Sequence, residues 1–330
     1  MALAAPQHSP IVDCQSHLYV PELISLMEKR KVSPYAYRKG NDTYVVVGEW
    51  HRRLQPRHAD PAAKVADMDA AGITLTALSI NDPGPELFGK EGPAVARMLN
   101  DYIADVGRRY PGRFIGLAVL PLQDVDAAMN ELERCINKLH MKGVLLYSNL
   151  DGSFPDEPRY RPLFREAERR QIPLLLHPAY PVTYDVTKAY EMTGMVGLMF
   201  DTSIALCRII LSGILDDFPK LKLVCPHVGG TLPYLIGRVD HQTQVLKRGA
   251  DHITKPPSAY LKQVWLDIVS PLPMAIRYGY DFVGPDRLLY ASDHPWVAPT
   301  LILDCLRKLQ LPAEDEQKIL GGNAKRLFNL

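Results

Sequence analysis

The sequence contains no run approaching about 18 consecutive apolar residues, which predicts no membrane-crossing segment. It also has almost no charge imbalance. Its 38 Lys and Arg offset 37 Asp and Glu to a formal +1, and the basic residues are dispersed, so a nucleic-acid or anionic membrane surface is not expected. Cysteine is sparse: Cys14, Cys135, Cys207, Cys225 and Cys305 are scattered, odd in number and form no CxxC pair. That argues against a disulfide framework and for free thiols in a reducing compartment, read as the cytoplasm. Residues 1–10 lack the basic start and apolar stretch of a signal peptide. No glycine-rich phosphate loop of the P-loop or dinucleotide type is present. Internal repeats and linker-like segments are missing too.

What remains is ordinary globular composition, 47% apolar and 23% charged over 330 residues. A chain of this length fits one large α/β barrel. Short apolar runs begin near residues 11, 73, 114, 143, 172, 222, 264 and 287, and most are separated by helical patterns. Eight β-α alternations predict a parallel sheet closed into a (β/α)8 barrel as a single domain, residues 1–330. Residues 32–60 depart from the alternation. They carry Tyr35, Tyr37, Arg38 and Lys39, a strand pattern at Asp42–Val47, and then Trp50-His51-Arg52-Arg53. An insertion this long after the first strand reads as a lid, or equally as a surface hairpin.

The chemistry-bearing residues sit where apolar runs end. Ile11-Val12-Asp13-Cys14-Gln15-Ser16 leads to His17, and Leu174-Leu175-Leu176 leads to His177. Leu221-Lys222-Leu223-Val224-Cys225-Pro226 leads to His227 and then Val228-Gly229-Gly230. Leu288-Leu289-Tyr290-Ala291-Ser292 leads to Asp293. A histidine at one strand end is as readily a hydrogen-bonded structural residue. Four such ends in one barrel would face the same opening, where imidazole and carboxylate together suit zinc or a similar divalent ion. Cys14 beside His17 could suggest a thiol nucleophile, but its place inside the strand points to burial.

The sequence resembles the amidohydrolase superfamily, in particular the branch of aminocarboxymuconate semialdehyde decarboxylase and related aromatic acid decarboxylases. The likeness spans about residues 11–330. It is carried by Asp13–His17, Ala66–Ile73, Leu120–Gln123, Leu175–Pro178, Phe218–Lys222, His227–Gly230 with Gly237-Arg238, and Ser292–Pro295. The resemblance implies a distorted (β/α)8 TIM barrel with extra C-terminal helices and one Zn2+ or Mn2+ per subunit. It implies His17, His177 and Asp293 as metal ligands, with Gln15 where the family usually has another histidine. His227 and Asp293 would be the acid/base pair. Arg238 would bind substrate carboxylate, sometimes across a homodimer. Strand 4 ends in Tyr147-Ser148-Asn149 rather than a lysine, which favours a mononuclear site.

The expected activity is nonoxidative decarboxylation of a small aromatic or unsaturated carboxylic acid. Arg238, with Arg52 or Arg53, would clamp a carboxylate. Trp50, Tyr147, Tyr180, His294 and Trp296 are candidates for the pocket wall, although each aromatic could equally pack in the core. Two alternatives stay open: metal-dependent hydrolysis of a lactone, amide or C–C bond, and a metal-poor barrel that binds without turnover. The apolar helix read over Val196–Leu215 could form a subunit contact or pack on the barrel wall.

Overall fold

The computed structural model describes residues 10–330; the leader read over residues 1–8 lies outside them. Eight strands form one sheet in the order β1 (Ile11–Leu18), β5 (Ile73–Ile80), β6 (Phe114–Val119), β7 (Gly143–Tyr147), β8 (Leu174–His177), β9 (Leu223–Cys225), β10 (Trp265–Asp267) and β11 (Leu288–Leu289). Every pairing in it is parallel. The ring closes where β1 meets the segment after β11. There the Cys14 amide donates to Tyr290 O at 3.0 Å, Asp293 to Gln15 O at 3.0 Å and His17 to His294 O at 2.8 Å. The eight apolar runs of the sequence are these eight strands.

One apolar cluster takes Val12 and Cys14 from β1, then Ala77, Leu117, Leu175, Val224, Trp265 and Leu289 from six other strands. It is the barrel interior, packed with side chains as closed barrels of this size require. Ala324, Leu327 and Phe328 join it beside Val12, so the last helix, Asn323–Phe328, seals the N-terminal end of the strands. A larger cluster lies between the strands and the surrounding helices. Because the helices cover the outer face, strands such as β7 and β8 are buried along their whole length. Cys14 lies in the interior, where burial pushes its thiol well above the ordinary range, as suits an inert residue.

Helix Pro61–Ala71 shows how local sequence sets the boundaries. The Asp60 side chain accepts from the Ala62 amide at 2.9 Å, and Gly72 ends the helix at φ 71°. Residues 32–60 fold into a second sheet of β2 (Tyr35–Lys39), β3 (Asp42–Val47) and β4 (Trp50–Leu54), all antiparallel. Here the outcome exceeds the expectation of one strand. Two-residue turns join the strands at positions 40–41 and 48–49, each using a glycine at positive φ. Gly48 has a second constraint: a Cβ there would lie 2.5 Å from the Tyr180 ring.

Helix Thr193–Leu211 is the one segment among the described residues that bears on the expectation about membrane segments. It has 19 residues, and an 18-residue window of it has a mean hydropathy of 1.6, so by length and composition it could cross a membrane. In the fold it packs against the barrel through Ala205, Leu206, Ile209 and Ile210, while Met195, Phe200 and Ile204 stay exposed. A core-facing helix of a globular domain passes the same test.

Candidate metal centre

β1 carries His17 near its C-terminal end, and β8 ends on His177. His227 follows β9 after Pro226, and Asp293 lies four residues beyond β11. All four meet at the C-terminal mouth. His17 Nε2 lies 3.1 Å from His177 Nε2 and 3.2 Å from Asp293 Oδ1. One donor atom from each of His17, His177 and Asp293 falls within 4.8 Å of the other two. His227 Nε2 stands 3.7 Å from the second Asp293 oxygen.

The rings are oriented from behind. His17 Nδ1 reaches Ser79 Oγ at 2.7 Å and the Ile80 carbonyl at 3.2 Å, and His177 Nδ1 reaches the Pro178 carbonyl at 2.7 Å. A carbonyl can only accept, so both Nδ1 atoms carry the proton and both Nε2 atoms turn a lone pair toward the centre. Two lone pairs and a carboxylate facing one another fit a divalent cation. Gln15 adds a further donor. Its amide nitrogen lies 3.4 Å from Asp293 Oδ1, and its buried Oε1 has no partner among the described residues. A half-turn of that amide would present its oxygen to a cation held by Asp293. The donor set is therefore imidazole, imidazole and carboxylate, with an amide alongside.

Burial dominates the electrostatics of His177, and together with the neighbouring His17 it holds the ring well below its usual range. A ring that resists protonation stays available as a ligand. Burial alone would raise Asp293, but positive charge on the facing His17 and His227 rings, when they carry a second proton in the metal-free site, outweighs it and keeps the carboxyl ionised below the usual range. Burial alone would lower His227, but the Asp293 carboxylate 3.7 Å away reverses the sign and raises it, with the Asp267 charge adding to the effect. Asp267 anchors the His227 backbone at 2.7 Å, and burial pushes this carboxyl up to about 6. His227 and Asp293 also share an unusual backbone, left-handed at φ 56° and 57°, a conformation that non-glycine residues adopt mostly where neighbours enforce it.

A cavity of about 730 Å³ opens above this cluster. Its floor holds His177, His227 and Asp293. Met195, Leu198, Met199, Val269, Tyr278 and Trp296 make most of the apolar wall, and Trp50, Arg52, Asn81 and Asp82 form a polar side. Arg52 is buried there. Its Nη1 donates to Asn81 Oδ1 at 3.1 Å and to Asp82 Oδ1, and its Nη2 to Asp82 O at 3.1 Å. The Trp50 ring lies 4.6 Å from the guanidinium carbon. Nε is buried and has no partner among the described residues, so one N–H of this cavity-lining guanidinium is unmatched.

Several expected pocket residues lie elsewhere. Arg53 is exposed and paired with Asp42. β4 alternates, so Trp50, Arg52 and Leu54 face inward while His51 and Arg53 face solvent. Tyr147 is buried edge-on to His177, its ring centroid 6.1 Å away, with its hydroxyl unpartnered. Tyr180 packs under Gly48. His294 turns away from the cavity, toward Lys64 and Asp67. Arg238 is exposed on helix Leu232–Asp240 and does not line the cavity of its own chain. Reasoning from the sequence passed over Asp267, Ser79 and Lys64. Only Lys64 left a signal there, as a charged residue at helical spacing between Pro61 and Met68, the face that turns inward.

An amidohydrolase family model matches residues 12–330. The chain belongs to this family. Among curated relatives, gamma-resorcylate decarboxylase of Rhizobium radiobacter is 32% identical over 86% of this chain and 92% of its own. The 2-amino-3-carboxymuconate-6-semialdehyde decarboxylase of Dictyostelium discoideum is 27% identical over 87% of this chain and 81% of its own. Among solved structures, 5-carboxyvanillate decarboxylase of Novosphingobium aromaticivorans, complexed with manganese, superimposes with a TM-score of 0.86. It is 25% identical and covers 99% of this chain and 98% of its own.

Proposed function

We propose that this protein is a divalent-metal-dependent nonoxidative decarboxylase of an aromatic or unsaturated carboxylic acid. One observation carries the reading: His17, His177, Asp293 and His227 converge at the floor of a large, mostly apolar cavity. The decarboxylase relatives support it. His17, His177 and Asp293, with Gln15 beside them, would hold one Zn2+ or Mn2+ per subunit. When bound, the metal supplies Lewis-acid stabilisation of the charge that develops on substrate oxygens.

The side chains perform the rest. The apolar wall holds the substrate ring and excludes water, and Arg52, which lines the cavity, takes an anionic or polar substituent. His227 faces Asp293 and delivers a proton to the carbon that bears the carboxylate. The C–C bond to the carboxylate then breaks, its electron pair restores the ring, and carbon dioxide leaves. The net change is one proton consumed and one carbon dioxide released, with His227 reprotonated from solvent.

The test is turnover of hydroxybenzoate-type acids by Mn2+-reconstituted protein, read as carbon dioxide release, beside lactone and amide panels. Hydrolysis without carbon dioxide release would replace this reading with the hydrolase one. Protein that takes up no Zn2+ or Mn2+ would favour a binding barrel without catalysis.

We also infer a single-domain homodimer, with the 32–60 sheet covering the cavity. The exposed Met195, Phe200 and Ile204 lie on a helix packed beside the one carrying Tyr234, Leu235 and Arg238, all exposed. A second copy seated there would cover apolar surface and could bring its Arg238 to the cavity. Inactive Asp293→Asn and Arg238→Ala proteins, mixed after dissociation, would then regain activity, because a mixed dimer holds one intact site. No recovery would mean that Arg238 does not cross. The five unpaired cysteines support a cytoplasmic placement, which localisation of a fluorescent fusion would check.

A further inference from the structure

Helix Pro61–Ala71 turns Pro61, Lys64 and Met68 toward the barrel. Two of these are apolar and the middle one is an amine, only 1% exposed. A buried ammonium is costly unless each proton finds an acceptor. Here all three do: Ser16 Oγ at 2.6 Å, His294 Nδ1 at 2.6 Å and His294 O at 3.2 Å. The acceptors are held in turn. His294 Nε2 donates to Asp67 Oδ2 at 2.8 Å, which leaves the Nδ1 lone pair for the lysine. Asp67 is also bound by Arg57 at the surface.

The His294 carbonyl is a crowded point. Besides Lys64 it accepts from the His17 amide at 2.8 Å and from the Ser16 hydroxyl at 3.2 Å. It lies where β1 meets the segment after β11, and the strand pairing there is thin: β11 has two residues, and the bridge Ser16↔His294 stands alone. Two metal donors flank this joint. His17 supplies one of the amides, and Asp293 directly precedes His294. The 3.2 Å between His17 Nε2 and Asp293 Oδ1 therefore depends on how the joint is held.

We propose that Lys64 is a positioning residue of the metal centre: its three donated bonds clamp Ser16 to His294 across the barrel seam and so fix the spacing of His17 and Asp293 as ligands. Lys64 makes no hydrogen bond to either donor and does not line the cavity. The inference rests on the metal centre and is independent of which reaction that centre performs.

The experiment measures Mn2+ affinity of the full chain, stripped with chelator and titrated against a fluorescent chelator, alongside the melting midpoint of the metal-free protein. Lys64→Met is expected to weaken Mn2+ binding by about 10- to 100-fold, the range for residues that orient ligands from behind. Its metal-free midpoint should stay level or rise, because an apolar side chain of similar length replaces a buried charge. Cobalt-loaded Lys64→Met should also show altered visible bands, a signature that loss of general stability would not give. Affinity equal to wild type overturns the proposal. Should Lys64→Met not fold, Ser16→Ala removes one acceptor while keeping the cation. A several-fold weaker affinity is then expected, and an unchanged one overturns the proposal. A wild-type chain that takes up no Mn2+ would remove the metal centre and this inference with it.

Discussion

His17 Nε2 and His177 Nε2 face each other at 3.1 Å, although both rings have already committed their Nδ1 protons to backbone carbonyls. Two lone pairs at that distance repel unless a proton or a cation lies between them. The protein maintains this contact with ordinary means, a strand end on each side and a carbonyl behind each ring. The carboxylate of Asp293 adds a third donor on the same side. What this trio lacks is a fourth strong ligand, and Gln15 stands at that position with an unpartnered oxygen.

Gln15 is therefore expected to tune affinity. Gln15→His replaces an amide oxygen with imidazole, the better partner for Zn2+, and should tighten Zn2+ binding by about tenfold, or roughly 1.4 kcal/mol. Gln15→Ala should loosen it by a similar factor. Competition with a chelator reads both. Equal affinity in Gln15→Ala and wild type would show that the amide never reaches the ion.

The two arginines of β4 should separate cleanly. Arg53→Ala removes an exposed pair with Asp42 and should leave kcat/KM within about twofold, because exposed ion pairs contribute little. Arg52→Lys keeps a positive charge beside Asp82 but loses the planar edge, so kcat/KM should fall by about 100-fold as bidentate recognition is lost. Truncation to alanine is a poorer probe, since it strands the buried Asp82 carboxylate. Steady-state kinetics on the best acid substrate distinguish the pair. Comparable losses at both positions would refute the alternation argument.

That contrast also shows what the sequence made legible. Most of the barrel strands announce themselves as short apolar runs ending in a turn residue or a histidine, because strands buried on both faces carry few polar positions to blur them; β1, with Asp13, Gln15, Ser16 and His17, is the exception. His17, His177, His227 and Asp293 could be picked out because a barrel sends every strand end to one mouth. Arg52 could have been preferred over Arg53 from period-2 alternation with Trp50 and Leu54, once β4 was recognised as a strand. Other features depend on tertiary contacts that no local pattern encodes. Tyr180 supports a glycine turn from 132 positions away, Asp267 holds a backbone amide 40 positions distant, and His294 turns its ring to Lys64.

Glu86 offers a test of buried electrostatics away from the metal donors. Its side chain is 5% exposed, and one carboxyl oxygen lacks a partner. Burial, with the nearby Asp82 charge adding to it, pushes this carboxyl from 4.5 up to about 8. Between those values the folded chain holds a proton that the unfolded chain has released. Stability then falls as pH rises, because the native state binds more protons. The contribution is fully present below about 4.5 and is lost as pH climbs through about 8. Glu86→Gln has no proton to release, so it should not share this decline. The stability of wild type relative to Glu86→Gln should therefore drop steadily from pH 5 to pH 8, by at most about 1.4 kcal/mol per pH unit. Urea denaturation of metal-free protein at four pH values measures this, and metal-free conditions keep proton release by the proposed His and Asp ligands upon metal binding out of the comparison. A difference that stays constant across the range would mean that Glu86 titrates normally and that water reaches the carboxyl.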